Sequence, residues 1–177
     1  LTTKYDGSPA IVYGHHPENG KFFVASKSAF NKTPKINYTP KDIEENHGHA
    51  PGLVEKLKAA LEHLPKVTPK KGIFQGDVMY NRGDVNSDGK NYSFTPNTIT
   101  YSTPTDSEEG KKIDKAKLGI LVHTLYHGPK WKANYTPDKS GFGNHPDVHL
   151  FDNSQDFSKT KYTPKQQAEY KSHMNAA

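Results

Sequence analysis

Gly72-Ile-Phe-Gln-Gly-Asp-Val-Met-Tyr80 and Leu118-Gly-Ile-Leu-Val-His-Thr-Leu-Tyr126 are the stretches that decide the fold. Both are short apolar runs rich in β-branched and aromatic residues and bounded by turn formers, the pattern of strands buried in a sheet. Upstream, Pro9-Ala-Ile-Val-Tyr13 and Lys21-Phe-Phe-Val-Ala25 are of the same kind. His15-His-Pro-Glu-Asn-Gly20 between them is turn chemistry, so this pair reads as a hairpin. Tyr92 to Phe94 and Thr98 to Ser102 read as two further strands, and Asn81 to Lys90 and Thr103 to Gly110 as loops.

One helix interrupts the strands. Leu53, Leu57, Ala60, Leu61 and Leu64 recur at helical spacing, while Glu55, Lys56, Lys58 and Glu62 fall on the other side. Pro65 is expected to stop it, and the helix to be structural. Tyr-Thr-Pro recurs at Tyr38, Tyr135 and Tyr162, and each copy reads as a helix start: Thr caps, Pro follows, and Asp42 and Gln166 stand where a capping-box partner belongs. Asn134 to Asp156 reads as irregular, and a short helix from Pro164 to about His173 is expected to close the chain. The expected class is α+β, with mixed, mostly antiparallel sheets and few helices. Residues 1–130 form the expected core, and 131–177 an irregular segment of the same domain or the start of an insertion.

Composition narrows the classes. The 177 residues are 32% hydrophobic, well under the usual share of about 45–50% (which also counts Gly), yet 10 Tyr, 8 Phe and 1 Trp are spread along the chain and argue against disorder. No run approaches the roughly 18 apolar residues of a membrane span, so no membrane partner is expected. With 0 Cys, disulfide frameworks and thiolate zinc sites are excluded, and a reducing cytoplasm is the easier reading. The net charge of +5 suits a phosphate-bearing ligand or nucleic acid. The chain begins at Leu1 without an initiator Met, and Lys4 stands almost at its start, so a piece of a longer protein is expected.

The stretch that carries chemistry is Thr3-Lys4-Tyr5-Asp6-Gly7-Ser8-Pro9, which leads into the first apolar strand. In an extended chain Asp6 points to the same side as Lys4, and Gly7 lets the backbone turn tightly and approach a ligand. Further on come Lys21-Phe-Phe-Val-Ala-Ser-Lys27, the Leu53–Leu64 helix, Phe74-Gln-Gly-Asp77, and the apolar strand Ile120 to Tyr126. In that order these resemble the covalent nucleotidyltransferases: ATP-dependent DNA and RNA ligases and mRNA capping enzymes. In that family a Lys-x-Asp-Gly nucleophile motif is followed by a strand ending in a basic residue, a helix, a Phe-x-Gly-Glu strand and a strongly apolar strand. The chain is also similar to uncharacterised proteins of large tailed bacteriophages. It shares with them the sense of Thr3 to Ile11, Asn19 to Val24, Gln75 to Asp77 and Pro96 to Ile99.

The ligase resemblance implies AMP transfer from ATP to Lys4, then to a nucleic-acid 5′-phosphate. The lysine amine must be partly deprotonated to attack phosphorus, which calls for a lowered pKa. In that scheme Lys4 is the nucleophile, and Asp6 orients it or binds the ribose. Gly7 and Lys27 contact nucleotide, Asp77 contacts Mg²⁺ or the ribose, and Phe74 or Tyr126 packs near the base. The implied cofactors are ATP and Mg²⁺, the implied partner is a DNA or RNA end, and the implied place is the cytoplasm of an infected host, or the virion. The alternative is a phage structural or nucleic-acid-binding protein that keeps the fold without the chemistry.

The departures from the pattern are specific. Asp77 replaces the family's Glu, and Pro9 replaces the Arg that commonly follows Asp-Gly-x. The later Glu-Gly-x-Val and Lys-x-Lys elements have only Glu109-Gly110 and Lys130-Trp131-Lys132 as counterparts. Other signals are weaker. Asp84-Val-Asn-Ser-Asp88-Gly89 opens like a calcium loop but offers Thr95 where a bidentate Glu is needed. The 10 His include no His-Glu-x-x-His, and a strand at 118–126 would put His123 and Tyr126 on opposite sides. Four Asn-x-Ser/Thr sequons, at Asn31, Asn37, Asn91 and Asn134, matter only for a secreted chain.

Overall fold

A computed structural model describes residues 10–96, 99–128, 131–135 and 141–151. Its main sheet is built around the two deciding strands, β3 (Ile73–Asn81) and β7 (Leu118–His127), which pair antiparallel. On the other side of β3 lies β1 (Ala10–His15), and beyond it β2 (Phe22–Ala25), the expected hairpin. The far edge of β7 carries two short strands at its two ends. There β8 (Lys132–Asn134) pairs antiparallel with Leu125 to His127, and β9 (Val148–Phe151) pairs parallel with Leu118 to Leu121. A second sheet joins β4 (Asn86–Ser87), β5 (Asn91–Phe94) and β6 (Tyr101–Pro104). The fold is α+β with mostly antiparallel sheets, as the sequence predicts.

Helices α1 (Pro40–His47) and α2 (Pro51–His63) cover one face of the main sheet. α1 starts as read: Thr39 Oγ1 accepts from the Asp42 amide, and the Asp42 carboxylate accepts from the Thr39 amide, a closed capping box. α2 buries Val54, Leu57 and Ala60 in a cluster with Ile11, Tyr13, Val24, Phe74 and Ile120, and His63 is buried at its end. The expected stripe is therefore rotated slightly, with Leu53 and Leu61 at its margins. Pro65 sits inside a 3₁₀ turn, Leu64–Lys66, that ends the helix.

The opposite face carries two smaller apolar clusters. One joins Val12, Phe23, Ala25 and Ile73 to Ala29. The other joins Met79, Tyr80, Phe94, Ile113 and Phe151, and ties the small sheet to the large one. It includes α3 (Glu108–Lys115), which begins within the stretch expected to be a loop. Ser107 caps α3 by accepting from the Gly110 amide, Ile113 is buried, and Arg82 Nη1 donates to the carbonyls of Ile113, Asp114 and Ala116 at its C-terminal end. Likewise β9 lies in the stretch expected to be irregular. The expected C-terminal helix falls outside the described residues, as does the Tyr-Thr-Pro copy at Tyr162.

Candidate functional site

The sheet register sets the end of β2 and Asp77 of β3 beside the start of β1. β1 starts at Ala10, whose cross-strand partner is Asp77 in β3. Antiparallel pairing of β1 with β2 sets Ala25 opposite Val12, so β2 ends at that same end of the sheet. Two residues later Lys27 opens a 3₁₀ turn capped by Ser26, whose hydroxyl accepts from the Ser28 amide, and the lysine side chain is exposed. Of the residues predicted for the site, Lys27 and Asp77 are therefore brought to one end of the sheet. Lys4, Asp6 and Gly7 lie outside the described residues.

Along β3 the side chains alternate. Gln75, two residues before Asp77, shares its face, and its Oε1 accepts from the Tyr126 hydroxyl at 2.7 Å. Tyr126, the third predicted residue, thus faces the same side as Asp77 but is held one step away by Gln75. Phe74 does not share that side. It is 3% exposed, packs on Tyr13 and Phe142, and belongs to the core beneath the helices. An odd separation of three along a regular strand puts Phe74 and Asp77 on opposite faces, so its assignment to the nucleotide base is corrected to the core.

His123 enters this row through a bulge. Gln75 is opposite Thr124 while Gly76 is opposite Val122, so β7 carries one extra residue there. That residue is His123, and its Nε2 stands 3.4 Å from Asp77 Oδ1, with side chains 35% and 36% exposed. The bulge shifts the parity of β7, so His123 and Tyr126 share a face instead of opposing each other. His123 Nδ1 lies 2.8 Å from the buried Thr124 hydroxyl. The Thr124 contact fixes the ring so that Nε2 faces Asp77.

The result is a row of Asp77, His123, Thr124, Gln75 and Tyr126 between two apolar clusters. Gly76 makes it possible: a Cβ there would stand 2.6 Å from the Leu121 carbonyl oxygen and 3.1 Å from Val122 Cα. The glycine of the Phe-x-Gly-Asp stretch is thus required by close strand approach, whatever it does for a ligand. Chemically, a half-exposed carboxylate beside an imidazole can accept ribose hydroxyls, exchange a proton, or bind a hard cation. Among the described residues no three His, Cys, Asp or Glu side chains cluster as a metal cage. Mg²⁺ is ordinarily held by one or two carboxylates plus substrate phosphates, and the Asp77 carboxylate fits that donor set.

The other counterparts sit elsewhere. Glu109 is in α3, buried, with Oε2 3.5 Å from His149 Nε2, and His149 Nδ1 is 2.9 Å from the Tyr80 hydroxyl. Burial raises the Tyr80 hydroxyl pKa. This trio ties β3, β9 and α3 together, away from Asp77. Asp84 and Asp88 are spent on the turn: Asp84 accepts from the Asn81 amide and pairs with Lys56, and Asp88 accepts from the amides of Lys90 and Asn91. Among the described residues no helix is long and apolar enough to cross a membrane.

No curated protein and no solved structure matches the chain. A family model does match, over residues 1–177, and the chain belongs to that family of unknown function, DUF6267.

Proposed function

We propose that the protein transfers a nucleotidyl group through a lysyl-AMP intermediate on Lys4 and passes it to a nucleic-acid end. The observation that carries this reading is the register: Ala10, three residues beyond Gly7, is the cross-strand partner of Asp77. The Lys-x-Asp-Gly segment thus leads into the strand that lies beside the Phe-x-Gly-Asp strand, with Lys27 leaving β2 at the same end. In the reaction, Lys4 Nζ attacks the α-phosphorus of ATP. A P–N bond forms, the bond to the bridging oxygen breaks, and pyrophosphate leaves while the amine gives up its proton. A terminal phosphate oxygen of the acceptor then displaces the lysine and takes the AMP. Bound Mg²⁺ would neutralise charge on the triphosphate. Asp77 offers that cation or the ribose an oxygen ligand, His123 orients the carboxylate, and Lys27 offers a cation to phosphate.

The test is incubation of the protein with α-labelled ATP and Mg²⁺, followed by a denaturing gel. Expected is label that stays with the protein, is released by acid, and is lost in Lys4→Ala. Absence of acid-labile label from folded protein, across the common nucleoside triphosphates, refutes the reading.

A further inference from the structure

At the other end of the same sheet face, a cleft of about 750 Å³ opens between the β1–β2 turn, the start of β3 and the end of β7. His15, His16, Lys70, Lys71, Tyr126 and Trp131 line it. Its volume is in the range of about 300–1,000 Å³ usual for ligand sites. On its rim stands Phe30, 46% exposed, with its ring centroid 5.1 Å from Tyr126 and 5.7 Å from Trp131. His16 lies 6.4 Å from Trp131 on the other side. Trp131 has a φ of 51°, an uncommon backbone state for a bulky residue, and its amide donates to the Gly128 carbonyl in the turn that leads to β8. Phe30 is the exposed member of this aromatic cluster, and Tyr126 and Trp131 are partly buried against the apolar cluster behind it.

The charge around it is mostly positive. From residue 19 to 41, from 63 to 76 and from 115 to 137 the sequence contains no Asp or Glu, and these three stretches supply Phe30, the Lys70–Lys71 wall and Trp131. They also carry Lys21, Lys27, Lys32, Lys35 and Lys132. Among the described residues neither Lys70 nor Lys71 is held in an ion pair. Of the acids that bound these stretches, Glu18 lies in the β1–β2 turn that borders the cleft.

We infer that this cleft binds single-stranded nucleic acid, with bases stacked on Phe30 and Trp131 and phosphates met by Lys70 and Lys71. An exposed Phe30 beside a half-buried Trp131, with lysines held in no ion pair among the described residues, is a surface that unstacked bases on a polyanion fit, whereas a duplex hides its base faces. An acidic peptide would use the lysines and leave the rings idle. Tyr126, at the cleft, pairs with Ile73, and Asp77 is four residues along β3, on the order of 13 Å at strand rise. A strand seated here would therefore reach the Asp77 row within a few nucleotides. The inference gives the acceptor proposed above its seat, but binding needs neither Lys4 nor ATP, so the two stand or fall separately.

Trp131, the sole tryptophan, is the reporter. The protein is titrated without ATP with single-stranded DNA and RNA of about 12 nucleotides, within known site sizes, and with the matching duplex. Expected are quenching of Trp131 fluorescence by one of the single strands, weaker binding of duplex, and a Kd raised roughly 5- to 150-fold by Phe30→Ala. Lys70→Gln and Lys71→Gln should each lower the slope of log affinity against log salt by about 0.7. Phe30 is half exposed, so its variant keeps the fold, and circular dichroism checks this. Tight binding with no Trp131 quenching, equal affinity for duplex, or no effect of Phe30→Ala overturns the inference, as does failure of both single strands to bind at low salt. Single-strand binding by Lys4→Ala alongside lost adenylation would uphold this inference on its own.

Discussion

Gly76 offers the sharpest test of how the Asp77 row is built, because the structure assigns it a steric reason. An alanine Cβ would meet two backbone atoms of β7, the Leu121 oxygen at 2.6 Å and Val122 Cα at 3.1 Å, and Ile120 Cγ1 at 3.2 Å. Backbone on the neighbouring strand cannot rotate away as a side chain can, so β3 and β7 must separate at the bulge that brings His123 to Asp77. Overpacking of this kind costs about 1–3 kcal/mol. Gly52 is the internal control: it lies in the first turn of α2, is exposed, and has open space where a Cβ would go. Gly52→Ala should stabilise by up to about 1 kcal/mol through helix propensity and a less free unfolded chain. Urea titration followed by circular dichroism would read both, and at roughly 2–4 °C per kcal/mol for a chain of this size the variants should melt on opposite sides of the parent. A Gly76→Ala protein as stable as the parent, or shifted upward like Gly52→Ala, would show that the β3–β7 approach is not tight and that the bulge has another cause.

Leu57 is fully buried beneath the sheet, so Leu57→Ala should lower stability by about 2–5 kcal/mol in denaturant titration; a loss under about 1 kcal/mol would mean the α2 face is not core. Burial, with Lys35 and His49 adding to it, holds the His47 pKa below its ordinary value, and burial does the same for His63. The unfolded chain then takes up protons first, so stability present above about pH 6.5 should fall as pH is lowered through and below that value, and rising stability there would refute the assignment. Asp77→Asn should leave the melting temperature within about 2 °C, since a half-exposed carboxylate near an imidazole contributes little to stability, yet it should strongly reduce lysyl-AMP formation. Unchanged labelling would remove Asp77 from the proposed site.

Much of the frame was legible because its signals are local. The α2 stripe, the Thr39–Asp42 capping box, the β1–β2 hairpin and the apolar run of β7 each declare themselves within a dozen residues. What escaped depends on distant parts. α3 is short and polar, and it is held by Ser107 at one end and by Arg82, from another element, at the other. β9 has four residues and exists because Leu118 to Leu121 offers a free edge to pair with. The Phe74 error was avoidable, since strand parity already sets Phe74 and Asp77 apart. His123 was not: its facing depends on one residue of slippage against β3, and nothing in Val-His-Thr announces a bulge.

The placement of polar groups on the helix-free face argues that the row serves something other than folding. Four side chains there form two pairs: Tyr126 donates to Gln75, and Thr124 meets His123. Among the described residues Asp77 has no such closure, since His123 Nε2 stands 3.4 Å away, at the long edge of hydrogen bonding, and both groups remain open to solvent. Beyond the row the same face is apolar and buried, at Val12, Ile73 and Met79. Removing the carboxylate while keeping the shape should therefore cost the fold little. On the proposed reading that acid serves the nucleotide attacked by Lys4, which precedes Ala10, the cross-strand partner of Asp77, by six residues in sequence.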